Sequence, residues 1–128
     1  MVKSPGFSQR VVASVHDERI LGIRAGIRPH RFLAIWAVVV DGRVFVRPWN
    51  DRPDGWHRAF LEEPRGTIQV AGREIPVRAR RAWGERLMDA IDQAYAAKYP
   101  TPGSRKYVRG FARPRRRATT MELVRRSR

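Results

Sequence analysis

Arginine and tryptophan alternate through Arg47-Pro48-Trp49-Asn50-Asp51-Arg52-Pro53-Asp54-Gly55-Trp56-His57-Arg58. Arg47 closes an apolar run, and Arg52 falls in a loop just ahead of the apolar spacing of a short helix. Amides without partners at a helix start carry partial positive charge and suit a phosphate or carboxylate. Guanidinium groups add charge-assisted, bidentate contacts, and Trp49 or Trp56 offers a flat face to a planar ring. The same residues admit a plainer reading, with Trp36 and Trp56 in the core and the arginines as a solvated rim. The pattern alone leaves both open.

A second cationic stretch carries Arg105, Lys106, Arg109, Arg113, Arg115, Arg116 and Arg117, interleaved with Tyr107 and Phe111. That interleaving suits a single-stranded nucleic acid, whose bases stack on aromatic rings while cations track its backbone. It suits equally a solvated loop, or one closing over an anionic cofactor. The chain has 27 Lys and Arg against 12 Asp and Glu, a net charge of +15, and Glu122 is the only acid beyond residue 100. Such a field favours anionic partners and says nothing about fold. Other chemistries lack their residues. There is no Cys, hence no disulfide, thiolate zinc site or cysteine nucleophile. His16, His30 and His57 have no histidine three or four residues away, so no metal site is expected. The serines lack a nucleophile-elbow context. His16-Asp17-Glu18, Glu62-Glu63, Asp89 and Asp92 read as surface charge.

The elements that must position these residues follow from the apolar spacing. With 42 % hydrophobic and 30 % charged residues, the chain reads as one globular domain over 1–128. Its longest apolar run, Phe32 to Val40, falls well short of the ~20 residues of a membrane helix. Nothing after Met1 resembles a signal-peptide core, so a cytoplasmic protein is expected. Residues 1–18 form a helical lead-in, with Ser8 as N-cap and Phe7 as staple. Barrel strands with one inserted helix occupy 19–82. Among them Phe32–Val40 reads as one strand apolar on both faces, turning back at Asp41-Gly42. The inserted helix runs from Gly55 to Glu63, capped by Asp54 and ended by Pro64. A hairpin about Gly72-Arg73 turns Ile68, Val70, Ile75, Val77 and Ala79 inward, and Pro76 places its second strand at an edge or bulge. A helix spans 85–99, a basic loop 101–117 and a last strand 118–124. The sum is an α+β, mainly β fold: a six-stranded, Greek-key-like closed barrel with about three short helices.

In their order, Ile35-Trp36-Ala37-Val38, the Asp41-Gly42 turn, Phe45-Val46-Arg47, Arg52 with Trp56, and Pro64 resemble the pyridoxamine-phosphate-oxidase-like split β-barrels. The similarity is nearest the deazaflavin-dependent nitroreductase branch. Ala94-Tyr95-Ala96-Ala97-Lys98-Tyr99 and Ala118-Thr119-Thr120-Met121-Glu122-Leu123 resemble a bacterial family of unknown function on that fold. The resemblance spans about residues 18–125. It implies a homodimeric split barrel holding a phosphorylated planar cofactor, FMN or a deazaflavin coenzyme, in a groove near the subunit interface. It implies an oxidoreductase, with Arg47, Arg52, Trp56 and His57 by the cofactor phosphates. Trp36, among strand residues 34–38, would lie near the ring, and Trp49 beside it. Deazaflavin relatives carry Asn, Leu, Lys and Ser where this chain has Ala59, Phe60, Arg52 and Pro48. A non-catalytic ligand-binding barrel is therefore a second alternative beside the nucleic-acid module.

Overall fold

The first strand is entered from a capped helix. In the computed structural model, which describes residues 6–127, Ser8 accepts a hydrogen bond from the Val11 amide at 3.2 Å and starts α1 (Gln9–Asp17). Residues 1–5, the first part of the expected helical lead-in, and Arg128 lie outside the described residues. Val11 and Val15 turn into the core, and Phe7 packs beside them. Seven strands follow: β1 (Leu21–Ala25), β2 (Leu33–Ile35), β3 (Ala37–Val40), β4 (Arg43–Val46), β5 (Arg65–Val70), β6 (Arg73–Arg81) and β7 (Met121–Arg125). They form one antiparallel sheet in the order β2-β1-β5-β6-β7-β4-β3.

The two ends of that sheet are consecutive in sequence, and this nearly closes the barrel. The run Phe32–Val40 is not the single strand its apolar pattern suggests. It breaks at Trp36: β2 pairs with β1, β3 pairs with β4, and the sixth expected strand becomes a seventh. A continuous apolar run cannot reveal such a corner: the β3 half is covered, whereas Leu33 and Ala34 of β2 are exposed although their residue types look the same. The corner is held from outside by α3 (Glu85–Lys98) and the residue after it. Lys98 Nζ donates to the carbonyls of Ala37 and Val15, both at 2.7 Å, and Tyr99 Oη donates to the Arg19 carbonyl at 2.7 Å.

Alternation sorts the strands' side chains into two cores. Leu21, Ile23, Val44, Val46, Ile68, Val77 and Leu123 fill the barrel. Val38 and Phe45, on the opposite faces of β3 and β4, meet Met88, Ile91 and Tyr95 of α3. The doubly apolar β3 is therefore covered by a helix. Two tight hairpins complete the sheet, each with two residues at positive φ: Asp41 and Gly42, then Ala71 and Gly72. The second turn sits one residue earlier than the glycine-arginine pair suggested. Pro76 does not mark an edge or a bulge: β6 lies between β5 and β7, Pro76 pairs in register with Thr67, and it sits just beyond the β6–β7 pairs, its carbonyl accepting from the Arg126 amide at 3.0 Å.

Three further expectations change. The inserted helix α2 (Trp56–Glu62) has Gly55, not Asp54, at its N-cap and no side-chain cap. Residues 101–117 are not a loop: a 3-10 turn (Pro102–Ser104) leads into α4 (Arg105–Phe111) and α5 (Pro114–Arg117). Among the described residues, five α-helices thus replace the expected three or so. Tyr107, Val108 and Phe111 have helical spacing, but the cations around them blur it. No helix among the described residues is long and apolar enough to cross a membrane.

Candidate functional site

A cleft of about 750 Å³ opens where β2, the Trp36 corner, the loop after β4 and α4 converge. Its aromatic wall is built by four elements. Trp36 stacks on Tyr99 at 3.9 Å between ring centres, which fixes its plane, and meets Tyr107 and Phe111 at 6.0 and 5.9 Å. Trp49 stands edge-on to Tyr107 at 5.0 Å and to Phe111 at 5.3 Å. Trp56, at the first turn of α2, supplies a further face, and Ala34 and Ile35 of β2 complete the lining.

Trp49 is clamped in place. Arg116 lies over its ring at 4.0 Å and donates Nε to its carbonyl at 2.7 Å. On the other side is Gly110, where an added Cβ would come within 2.5 Å of the indole. Glycine is required there by close approach rather than by backbone conformation.

The charged groups divide differently from the expectation. Arg47 is 1 % exposed, and its guanidinium is already engaged. It donates to Thr120 Oγ1 at 2.8 Å, Asp92 Oδ1 at 2.5 Å and the Phe111 carbonyl at 2.9 Å. Asp92 is held in turn by Arg117, which also reaches Asp89 at 3.2 Å. Arg47, just after β4, therefore ties that strand to α3, α4 and the entry to β7 at the cleft floor, and only Nη2, 3.5 Å from the Met88 carbonyl, is held weakly. The exposed cations of the cleft are Arg31, which the motif reading missed, and Arg52. Arg31 gave little signal, standing alone ahead of the apolar run.

His57 is buried outside the cleft, 3.3 Å from Asp51. Arg58, bonded to both oxygens of Asp51 at 2.8 Å, and secondarily His57, hold that carboxyl below its ordinary range. The mouth of α2 carries Asp54, whose charge opposes an anion there. Ala59 is exposed and Phe60 buried, so the family's Asn position contributes nothing to this cleft. Tyr95 Oη is buried without a hydrogen-bond partner, and burial pushes its pKa up. Among the described residues no cluster of His, Asp or Glu is arranged to hold a metal.

The basic segment helps to build the same cleft. Phe111 is 6 % exposed, which removes it as a platform for stacked bases, and Tyr107 faces Trp49 across the cleft. Arg116 and Arg117 are committed as described, while Arg105, Lys106, Arg109, Arg113 and Arg115 stay exposed. A second cleft of about 790 Å³ lies beyond Trp49 and Asn50, between the loop after β4 and α5.

A nearly closed antiparallel barrel, with an aromatic cleft where its two sheet ends meet, defines a protein of the split-barrel class. Two solved structures share the fold. The conserved hypothetical protein Rv2991 from Mycobacterium tuberculosis matches 98 % of this chain and 87 % of its own, at 14 % identity and a TM-score of 0.58. A FAD-binding protein (mll6688) from Mesorhizobium loti matches 98 % of this chain and 95 % of its own, at 11 % identity and a TM-score of 0.56. No curated protein matches the sequence. A family model matches residues 10–123, and the chain belongs to that family, described as uncharacterized protein conserved in bacteria (DUF2255).

Proposed function

We propose that this protein binds a flavin-type cofactor, a planar ring with an anionic tail, and that the aromatic cleft is where the ring sits. The observation that carries the reading is the wall of Trp36, Trp49, Tyr107 and Phe111 around a volume suited to one such ring, with Arg31 and Arg52 at its rim. The fit is chemical: flat apolar faces for the ring and cations for the tail. The FAD-binding neighbour supports the same choice. When bound, such a group supplies hydride or electron transfer, and the protein supplies binding and orientation. Trp36 and Trp49 hold the ring's plane, and Arg52 attracts the tail. On this reading any enzymatic activity is that of an oxidoreductase.

We infer a homodimer as well, because β2 is an open sheet edge whose exposed Leu33 lines the cleft. Sedimentation should give twice the chain mass; a monomer at micromolar concentration contradicts it.

The test of cofactor binding is the absorbance of freshly purified protein, followed by reconstitution with FMN, FAD or a deazaflavin coenzyme. A visible band carried or regained by wild type, and weakened in Arg52→Ala, is expected. A high 260/280 ratio without a visible band, removed by salt, would favour the nucleic-acid alternative. A bound flavin that no electron donor reduces would favour the non-catalytic barrel.

A further inference from the structure

The two clefts differ in what they offer, and they share a wall. The aromatic cleft sets Arg31 and Arg52 against Asp54. The second cleft is poor in aromatic surface and presents Arg58, Arg113, Arg115 and Arg116 against the single carboxylate of Asp51. Arg58 is spent on Asp51, but Arg113 and Arg115 are exposed and have no acidic partner among the described residues. Arg116 is held by carbonyls and the Trp49 ring, so its charge is oriented but not neutralised. Trp49 and Asn50 line both clefts, so the two are neighbours across this pair of residues.

We infer that the second cleft is the anion subsite of the same ligand, so that the ligand is one whose tail passes Trp49 and carries more than one negative charge. This rests on the reading that the aromatic cleft takes the ring. It places the anion beside Arg113 and Arg115 rather than at the mouth of α2, where Asp54 repels it. Two kinds of tail have this chemistry: the diphosphate of FAD, and the phosphodiester with carboxylates of a deazaflavin coenzyme. FMN, with one phosphate on a short chain, reaches it less well, and riboflavin has no anion to place there.

The experiment compares wild type with Arg113→Ala/Arg115→Ala, titrated with riboflavin, FMN, FAD, a deazaflavin coenzyme and a single-stranded oligonucleotide. Both substituted side chains are exposed, so an unchanged melting temperature is expected. One long-tailed ligand should bind wild type most tightly and identify the tail. The double variant should weaken that ligand about tenfold, the scale of one or two charge-assisted contacts, while riboflavin affinity stays the same. Binding of riboflavin and FAD by wild type, with the long-tailed ligands unaffected by the variant, overturns the subsite and leaves the ring site standing. No binding of any ring ligand removes both. Loss of oligonucleotide binding alone assigns the arginines to nucleic acid and also overturns the inference.

Discussion

Arg47 brings a permanent charge into the interior, and every neighbour of its head is an acceptor that answers it. Removing it leaves Asp92 with Arg117 but strips the buried Phe111 carbonyl and Thr120 of their donor and opens a cavity, so Arg47→Ala should lower stability by about 3 kcal/mol in urea denaturation. Arg52→Ala, at an exposed position, should stay within about 0.5 kcal/mol and lose ligand affinity instead. Equal stability losses would place both arginines in one role. Gly110→Ala drives a methyl into the Trp49 ring and should cost about 1–3 kcal/mol, with a change in near-ultraviolet circular dichroism from the displaced indole. Composition and spacing singled out Trp36, Trp49, Arg52 and Trp56, which the fold brings around one cleft, because aromatic and cationic types stand out in the sequence. They could not show that Arg47 is consumed internally. Its partners Asp92, Thr120 and Phe111 lie far along the chain, and Asp92 reads as a surface charge.

Among the elements, the corner at Trp36 decides whether the barrel closes, and Lys98 pins it. Burial lowers the Lys98 pKa to about 8 from its ordinary 10.5. Between those values the unfolded chain holds a proton that the folded protein has released, so the contribution of this residue to stability rises with pH. Below pH 8 it is constant. Tyr99, raised by burial to about 12, acts oppositely above pH 10, where the folded state keeps the proton. Wild type and Lys98→Met should therefore diverge between pH 8 and 10, with wild type gaining in denaturation midpoint relative to the variant. A difference that shrinks across that range contradicts the assignment. Ala71 holds φ at 51° in the β5–β6 turn, and Ala71→Gly should stabilise the protein by about 1 kcal/mol in the same measurement. The hairpins, α1 and α3 were legible because their signals are local: turn residues, a serine cap, a helical stripe. The break at Trp36 and the helices at α4 and α5 were not. They depend on what packs against them, and arginine-rich sequence carries little apolar period.

For the molecule as a whole, a net charge of +15 is not spread as a featureless cloud. Some of the 27 cations are paired with Asp51, Asp92 and Glu122, and others gather around two clefts that share one tryptophan. The barrel class was readable from hairpin spacing and motif order. The meeting of the two suspected sites was not, since it requires α4 to fold back over the loop after β4. The most direct measurement of the central claim is a titration of wild-type protein with FMN and FAD, following tryptophan emission. Saturable quenching at one ligand per chain, abolished when Trp49 is displaced by Gly110→Ala, is the predicted result. Emission that stays flat, or falls linearly without saturation, would contradict it.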